Sequence, residues 1–237
     1  MRVVMKNFRT RFKRFQERSR EPGLTALLIV QVVLIFLVIP LASMGLIPEF
    51  AVPAMFVLLV IATLVVTSRS RIAVWAVLIA VLLSPFGIFI HAEHPSVITE
   101  WLSTIGRLLG IAVVSVVIAR AVFGGGRVTL HRVQGAVVLY LNFALFFFTI
   151  YRFIIVLVPT AFHGMPPTGS ENGSGGTLLY FSLTTLATLG YGDITPVHEM
   201  ARNFANLEAV IGQLYPATLL ARLVSLELEH RRRANKD

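Results

Sequence analysis

The sequence contains no cysteine. This absence excludes a disulfide framework, a thiolate metal site and a cysteine nucleophile. It also means that cysteine usage gives no information on whether the protein works in an oxidising or a reducing compartment. Charged residues are also scarce, at 14% of the 237 residues, whereas hydrophobic residues make up 56%. A soluble domain of this size is less apolar, so the composition predicts an integral membrane protein.

Acidic residues are few, with 12 Asp and Glu against 21 Lys and Arg, and the formal net charge is +9. Such an excess of basic residues can indicate nucleic-acid binding. Here, however, the basic residues concentrate in short segments between long apolar runs, which is typical of a protein at a membrane surface. We therefore expect membrane lipids with anionic headgroups as partners, and no nucleic acid.

The N-terminal segment, residues 1–22, is basic and carries apolar residues at helical spacing: Val4, Met5, Phe8, Phe12 and Phe15. This pattern predicts an amphipathic cytoplasmic helix that lies on an anionic membrane surface. A calmodulin-type target has the same pattern, and a disordered basic tail is a further alternative.

Six apolar runs approach the length that crosses a bilayer, roughly 20 residues at about 1.5 Å each. They are 24–41, 50–67, 72–90, 97–122, 133–158 and 199–226. A seventh run, 177–189, would extend at most about 20 Å as a helix and cannot cross. We predict that it enters the membrane and returns, which requires surrounding protein or a water-filled path.

The distribution of Lys and Arg tests this count, because cytoplasmic loops carry the excess of positive charge. Three alternate connections, 43–49, 91–96 and 159–176, hold no Lys or Arg. The remaining connections and both terminal segments do hold them. We therefore expect a multi-pass protein of the cell membrane with both termini in the cytoplasm, and the Gly-, Ser- and Pro-rich loop 159–176 outside.

The run Thr188-Leu189-Gly190-Tyr191-Gly192 follows the re-entrant segment at the outer side. Cation conduction needs a ring of oxygens that replaces the hydration shell, and the carbonyls of an extended strand can supply it. Gly190 and Gly192 permit backbone conformations that other residues resist, and Thr188 adds a hydroxyl oxygen at the inner end. A short helix over about 177–187 would direct its negative carboxyl end toward a cation below.

This run resembles the selectivity-filter signature of the potassium channel pore family, with Leu189 where valine is commonest and Asp193 after it. The resemblance covers roughly 133–228, an outer helix, a pore loop and an inner helix. Together with the six apolar runs it predicts an all-α membrane protein with six transmembrane helices per chain, of which the first four are placed by hydropathy alone. The resemblance itself implies a homotetramer with a re-entrant pore helix and a filter between helices 5 and 6. It also implies passive, potassium-selective conduction without cofactor or catalysis, with K+ bound at Thr188, Leu189, Gly190 and Tyr191.

These boundaries divide the chain into four parts. Residues 1–22 are the cytoplasmic segment, and residues 23–126 are a transmembrane domain of four helices that is not a typical voltage sensor. Residues 127–230 are the pore domain, and residues 231–237 are a basic cytoplasmic tail.

The resemblance also assigns residues that support the filter. Tyr180 and Phe181 match the aromatic positions that hold the filter open, and Thr185 is expected to pack behind it. Thr184 stands where many members have a glutamate, and Ala187 also departs from the commonest pattern. Hydrogen bonding behind the filter is therefore expected to differ from that pattern.

Gly212 follows Gly192 by twenty residues, which resembles the hinge glycine of the inner helix in both residue and spacing. Pro216 lies one turn later, and proline removes a helical hydrogen bond, so we expect a bend here. The bend could form a gate, or it could be a static kink that shapes the cavity. The resemblance implies that Gln213, Pro216, Leu220 and Val224 face the cavity.

Charged residues inside the predicted spans are costly unless they are paired or hydrated. We expect Glu208 to pair with Arg152 and so connect the inner and outer helices. The alternative is that the arginines reach outward and Glu208 bonds to the pore helix. The fourth span holds only Arg107 and Arg120, thirteen residues apart, instead of an arginine at every third position. This spacing predicts weak or no voltage dependence.

Two other functions are compatible with the sequence, namely a non-selective cation channel and a non-conducting regulatory or sensor subunit with a channel-like pore loop. An intramembrane enzyme is not predicted, because the spans hold no cluster of histidine and carboxylate and no nucleophile motif. His91, Glu93, His94 and His198 are expected to be ordinary loop residues, with proton or metal sensing as the alternative.

Overall fold

The computed structural model describes residues 24–48, 51–52, 54–56, 58–59, 97–123, 130–166 and 171–234. The predicted amphipathic segment 1–22, the predicted span 72–90 and the loop with His91 and His94 lie outside the described residues. The predicted span 50–67 is described only in short helical pieces between residues 51 and 59.

Five longer helices and two short strands make up most of the described chain. They are α1 (Leu24–Ser43), α2 (Val97–Phe123), α3 (Leu130–Leu157), β1 (Phe162–His163), α4 (Glu171–Leu186), β2 (Thr195–Pro196) and α5 (Glu199–Ala234). Helices α1, α2, α3 and α5 are each long and apolar enough to cross a membrane. The predicted runs 24–41, 97–122, 133–158 and 199–226 are thus confirmed as helices that are capable of spanning a membrane.

Helix α1 contains a π-helical stretch, Leu34–Val38, directly before its last segment, Ile39–Ser43. Pro40 lies at the start of that last segment. Proline has no N–H to donate and its ring crowds the preceding turn, so a local widening to π geometry lets the helix continue.

The apolar core joins α1 to the other helices of the chain. Leu27 and Ile35 of α1, Ile118 of α2, Leu139 of α3 and Leu179 of α4 are buried together in one cluster. Two polar contacts strengthen the contact between α1 and α3: Thr25 Oγ1 lies 2.7 Å from Gln134 Oε1, and Gln31 Nε2 donates to Asn142 Oδ1 over 2.7 Å. Helix α1 therefore packs against both α3 and α4 of its own chain.

Helix α4 has 16 residues and so spans about 24 Å, less than the roughly 30 Å of a bilayer core. It begins at Glu171, so the prediction of a loop through residue 176 was wrong for its last six residues. Gly175 and Gly176 are poor helix formers, but tertiary contacts override this preference. A Cβ at Gly176 would lie 2.5 Å from Ser43 Oγ, so the glycine lets α1 and α4 approach closely.

The two strands connect the chain before α4 to the chain after the filter run. They pair antiparallel, with Phe162 opposite Pro196 and His163 opposite Thr195. Gly164 follows β1 at φ +81°, where a Cβ would overlap the carbonyl oxygen of Asp193. This pairing holds the C-terminal end of the run 188–192 close to the loop that precedes α4.

Helix α5 is continuous from Glu199 to Ala234 and includes both Gly212 and Pro216. It extends eight residues past the predicted end at Leu226. The predicted basic tail 231–237 therefore begins inside this helix.

Candidate functional site

The backbone of the run 188–192 alternates in handedness. Thr188, Gly190 and Gly192 have φ values of 57°, 54° and 80°, whereas Leu189 and Tyr191 do not have positive φ. Gly190 and Gly192 thus adopt conformations that glycine permits most readily, as expected, but the run as a whole is not an extended strand. In an extended strand successive carbonyls point to opposite sides, whereas alternating handedness turns them toward the same side. The observed backbone suits a column of oxygens better than the expected one.

Positions 190 and 192 need glycine because of their backbone conformation, and not because a larger side chain would lack room. A Cβ at Gly190 or Gly192 would meet no atom within 4 Å in the single chain. At these φ values, however, a residue with a Cβ is strained by about 1–2 kcal/mol. Thr188 adopts the same region without the freedom of glycine, and strained residues of this kind cluster at functional sites.

The whole run is exposed in the single chain. The side chain of Leu189 is 58% exposed and that of Tyr191 is 69% exposed. Thr188, Gly190, Gly192 and the following Asp193 are exposed as well. The polypeptide thus presents this run at its surface and does not bury it within its own fold.

Helix α4 ends at this run, and its last carbonyls all have hydrogen-bond partners. The N–H of Ala187 donates to Leu183 O, and the N–H of Thr188 donates to Thr185 O. Thr184 O accepts the N–H groups of Leu189 and Gly190, at 2.8 and 3.4 Å. Helix ends normally leave such carbonyls without intrahelical partners. Thr184 and Thr185 therefore support the run through their backbone oxygens.

The carbonyl oxygen of Leu186 is the last of this set and receives its hydrogen bond from another helix. Tyr140 Oη of α3 donates to it over 3.0 Å. Gly212 of α5 faces the same carbonyl, and a Cβ at that position would overlap the Leu186 oxygen. The end of α4 is thus enclosed by α3 and α5, and Gly212 is a contact glycine. Its predicted role as a hinge stays a prediction.

Loss of the Tyr140 hydroxyl is expected to destabilise the protein by about 1–3 kcal/mol, because the Leu186 carbonyl would remain unpaired. Tyr215→Phe is the matched control. Tyr215 Oη donates to Ala136 O over 2.9 Å and its ring stacks on Tyr140, but Ala136 O lies inside α3, where the helix already supplies a donor. Thermal unfolding in detergent should show a larger loss for Tyr140→Phe. Equal losses would contradict this role of Leu186 O.

The two aromatic residues predicted to support the filter occupy different surroundings. The ring of Tyr180 stacks on Tyr191, with centroids 6.3 Å apart and planes within 5°. Phe181 instead lies in a buried aromatic cluster, where the centroid of its ring is 5.1 Å from that of Tyr151 and 5.2 Å from that of Phe162. Only Tyr180 therefore touches the run directly within the chain, whereas Phe181 anchors α4 to α3 and β1.

The predicted pair of Arg152 and Glu208 is not formed. Glu208 is completely buried, and its carboxyl contacts Tyr151 Oη at 2.6 Å and Ser182 Oγ at 2.5 Å. Arg152 is exposed on the next position of α3. Adjacent residues of a helix point about 100° apart, so α3 can direct only Tyr151 toward Glu208. The alternative, a bond from Glu208 to the predicted pore helix, agrees with the observed contact between Glu208 and Ser182 of α4.

The residues predicted to line a cavity, Gln213, Pro216, Leu220 and Val224, are all exposed on α5. Their orientation toward a cavity stays a prediction. His198 Nδ1 accepts the N–H of Met200 over 3.3 Å at the start of α5. Within the described part of the chain, no group of three or more His, Asp or Glu residues could hold a metal ion.

Comparison with known families identifies this assembly of helices. Residues 135–228 match the family model Ion_trans_2, whose description is "Ion channel". The chain contains an ion-channel domain. The match includes most of α3, all of α4, the run 188–192 and α5 as far as Leu228, so the predicted ion-channel pore module is confirmed, whereas the potassium-type filter and the six spans stay predictions. No curated protein and no solved structure matches the chain.

Sequence reasoning missed three hydroxyl groups of the channel domain: those of Tyr140, Tyr151 and Ser182. They lie in apolar helices at no characteristic spacing. The available signal was their polarity, because a hydroxyl inside a bilayer requires a partner on a neighbouring helix. The polarity of a hydroxyl group predicts a hydrogen bond, but it does not identify the residue at the other end of that bond.

Proposed function

We propose that the chain is one subunit of a homotetrameric, potassium-selective channel that conducts K+ passively across the cell membrane. The observation that carries this proposal is the alternating backbone of Thr188 to Gly192 at the end of α4, within an ion-channel domain. Carbonyl oxygens that point to one side can replace the hydration shell of K+. In this proposal K+ binds at Thr188, Leu189, Gly190 and Tyr191.

The exposed surfaces of the chain support assembly around an axis. One filter run supplies only one side of a coordination shell, and its residues are exposed. Helix α5 carries exposed apolar residues along most of its length: Leu207, Val210, Leu214, Leu220, Val224 and Leu228. In the proposed tetramer, neighbouring copies cover part of this surface. The exposed side chain of Gln213 then faces the water-filled cavity.

We propose that voltage has little or no influence on opening. Moving one charge across the membrane field contributes about 2.3 kcal/mol per 100 mV, so steep voltage dependence needs several arginines that move. Helix α2 carries Arg107 and Arg120, and the guanidinium of Arg107 contacts Ser103 and Thr104 of its own helix. These hydrogen bonds keep the guanidinium of Arg107 against the surface of α2.

Reconstitution of the full chain into liposomes tests the proposal. A potassium gradient should drive flux that barium blocks, because Ba2+ enters the same ring of oxygens and binds it too tightly to leave. Crosslinking of the same sample should give a tetramer. A tetramer without barium-sensitive flux would instead indicate a non-conducting regulatory subunit, and flux that barium does not affect would exclude a potassium-type filter.

A further inference from the structure

Three helices of the channel domain meet at the buried carboxyl group of Glu208 on α5. Tyr151 of α3 donates to its Oε2 over 2.6 Å, and Ser182 of α4 contacts its Oε1 at 2.5 Å. Ser182 Oγ also lies 2.8 Å from the carbonyl oxygen of Ala144 on α3. Glu208, Tyr151 and Ser182 are all completely buried within the single chain, so this junction does not depend on assembly.

The number of hydrogens at this junction determines the state of the carboxyl group. Serine has one hydroxyl hydrogen, and a carbonyl oxygen can only accept. If Glu208 were a carboxylate, that one hydrogen would have to serve both Glu208 Oε1 and Ala144 O. One short contact between two oxygens would then have no hydrogen in it, which is repulsive.

A proton on Glu208 resolves this conflict. Glu208 Oε1–H then donates to Ser182 Oγ, and the Ser182 hydroxyl donates to Ala144 O. The Tyr151 hydroxyl donates to Glu208 Oε2. Every contact of 2.5 to 2.8 Å now contains one hydrogen, and each group uses the donors and acceptors that it possesses.

Within the described part of the chain, the surroundings of Glu208 offer no positive charge to stabilise a carboxylate. On α3 the titratable groups close enough to influence it are the hydroxyls of Tyr151 and Tyr140, both neutral, of which Tyr151 donates to Glu208 and Tyr140 donates to Leu186 O. On α4 it faces Ser182, which does not titrate. Arg152 is exposed, and no ion pair to Glu208 occurs among the described residues. A buried carboxylate without such a partner is expensive.

We propose that Glu208 is a proton-binding site that holds α3, α4 and α5 together behind the filter. The carboxyl group is neutral in this conformation, and its proton is the bond between the inner helix and the re-entrant helix. Removal of the proton breaks that bond and loosens the support of α4. The proton site itself rests on the contacts within one chain, whereas its effect on flux rests on the proposed function.

Infrared spectroscopy of the full-length protein in lipid tests the proton directly. At neutral pH the spectrum should contain the carbonyl band of a protonated carboxyl group, and this band should disappear in Glu208→Gln. Glu199→Gln is the matched control, because Glu199 is exposed at the start of the same helix and should leave the band unchanged. A spectrum whose Glu208-dependent signal is that of a carboxylate would overturn the proposal.

A second variant covers the case in which Glu208→Gln does not fold. Ser182→Ala removes the acceptor of the Glu208 proton, so the carboxylic band should remain and shift to higher frequency. A band that stays at its original frequency in Ser182→Ala would show that the proton is not donated to Ser182 and would overturn the proposal.

Stability should also depend on pH in a defined direction. A glutamate of the unfolded chain is ionised above about pH 5, so folding takes up a proton and stability falls as pH rises. The unfolding midpoint should decrease by several degrees between about pH 5 and pH 8, where the unfolded glutamate is ionised and the folded one still holds its proton, and by clearly less in Glu208→Gln. An equal decrease in both proteins would contradict the proposal. If the infrared band is present but the liposomes conduct no K+, the proton site stands and the proposed function fails.

Discussion

Gly190→Ala is expected to abolish barium-sensitive potassium flux. At φ 54° the substitution adds about 1–2 kcal/mol of backbone strain in each chain. Four chains share one filter in the proposed tetramer, so the strain sums to about 4–8 kcal/mol. The conducting backbone would become roughly a thousandfold or more less populated. The measurement is potassium flux into liposomes at equal protein content.

Leu189→Val is the matched control for this prediction. Leu189 does not have a positive φ, and its side chain is exposed in the single chain, so a change of side-chain shape there leaves the carbonyl geometry in place. This variant should keep most of the flux. Gly190→Ala protein that conducts at the level of Leu189→Val would show that left-handed backbone at position 190 is not needed for conduction.

Gly212→Ala should also cause a large loss of flux, because the new methyl group overlaps the Leu186 carbonyl oxygen at the end of α4. The atom in its way belongs to the backbone, so relief requires α4 and α5 to move apart. Such movement would displace the residues that follow Leu186 directly, which are those of the filter. The flux assay that serves for Gly190→Ala measures this loss.

A double substitution separates this contact from the predicted hinge. Gly212→Ala combined with Gln213→Gly restores a flexible residue to α5 but leaves the methyl group against Leu186. If Gly212 acts through the contact, the double variant should stay inactive. Recovery of flux in the double variant would favour the hinge, and would remove close packing as the reason for glycine at this position.

Much of the fold could be predicted because the bilayer restricts the choice of structure. Backbone groups in lipid must be paired within a helix, so apolar runs such as 97–122 and 133–158 predict helices with bounds close to those observed. The start of α4 could not be predicted in this way. Residues 171–176 are polar and glycine-rich, and the close contact of Gly176 with Ser43, which lies far away in the sequence, is visible only in the folded chain.

The filter run could be located from its sequence, since few other structures need Thr, Gly, Tyr and Gly in this order. Its handedness could not, because glycine permits positive φ without requiring it. The partner of Glu208 was also beyond the sequence. A buried carboxyl group can be stabilised by a cation or by a proton, and the direction in which α3 points Tyr151 and Arg152 decides between them.

The central claim is that the run Thr188 to Gly192 selects K+, and the reversal potential in mixed potassium and sodium tests it most directly. With unequal K+ concentrations on the two sides of a bilayer and Na+ added to make the total cation concentration equal, the reversal potential of the wild-type channel should lie close to the equilibrium potential of K+. A reversal potential near zero under the same gradients would show a non-selective cation channel and would contradict the account.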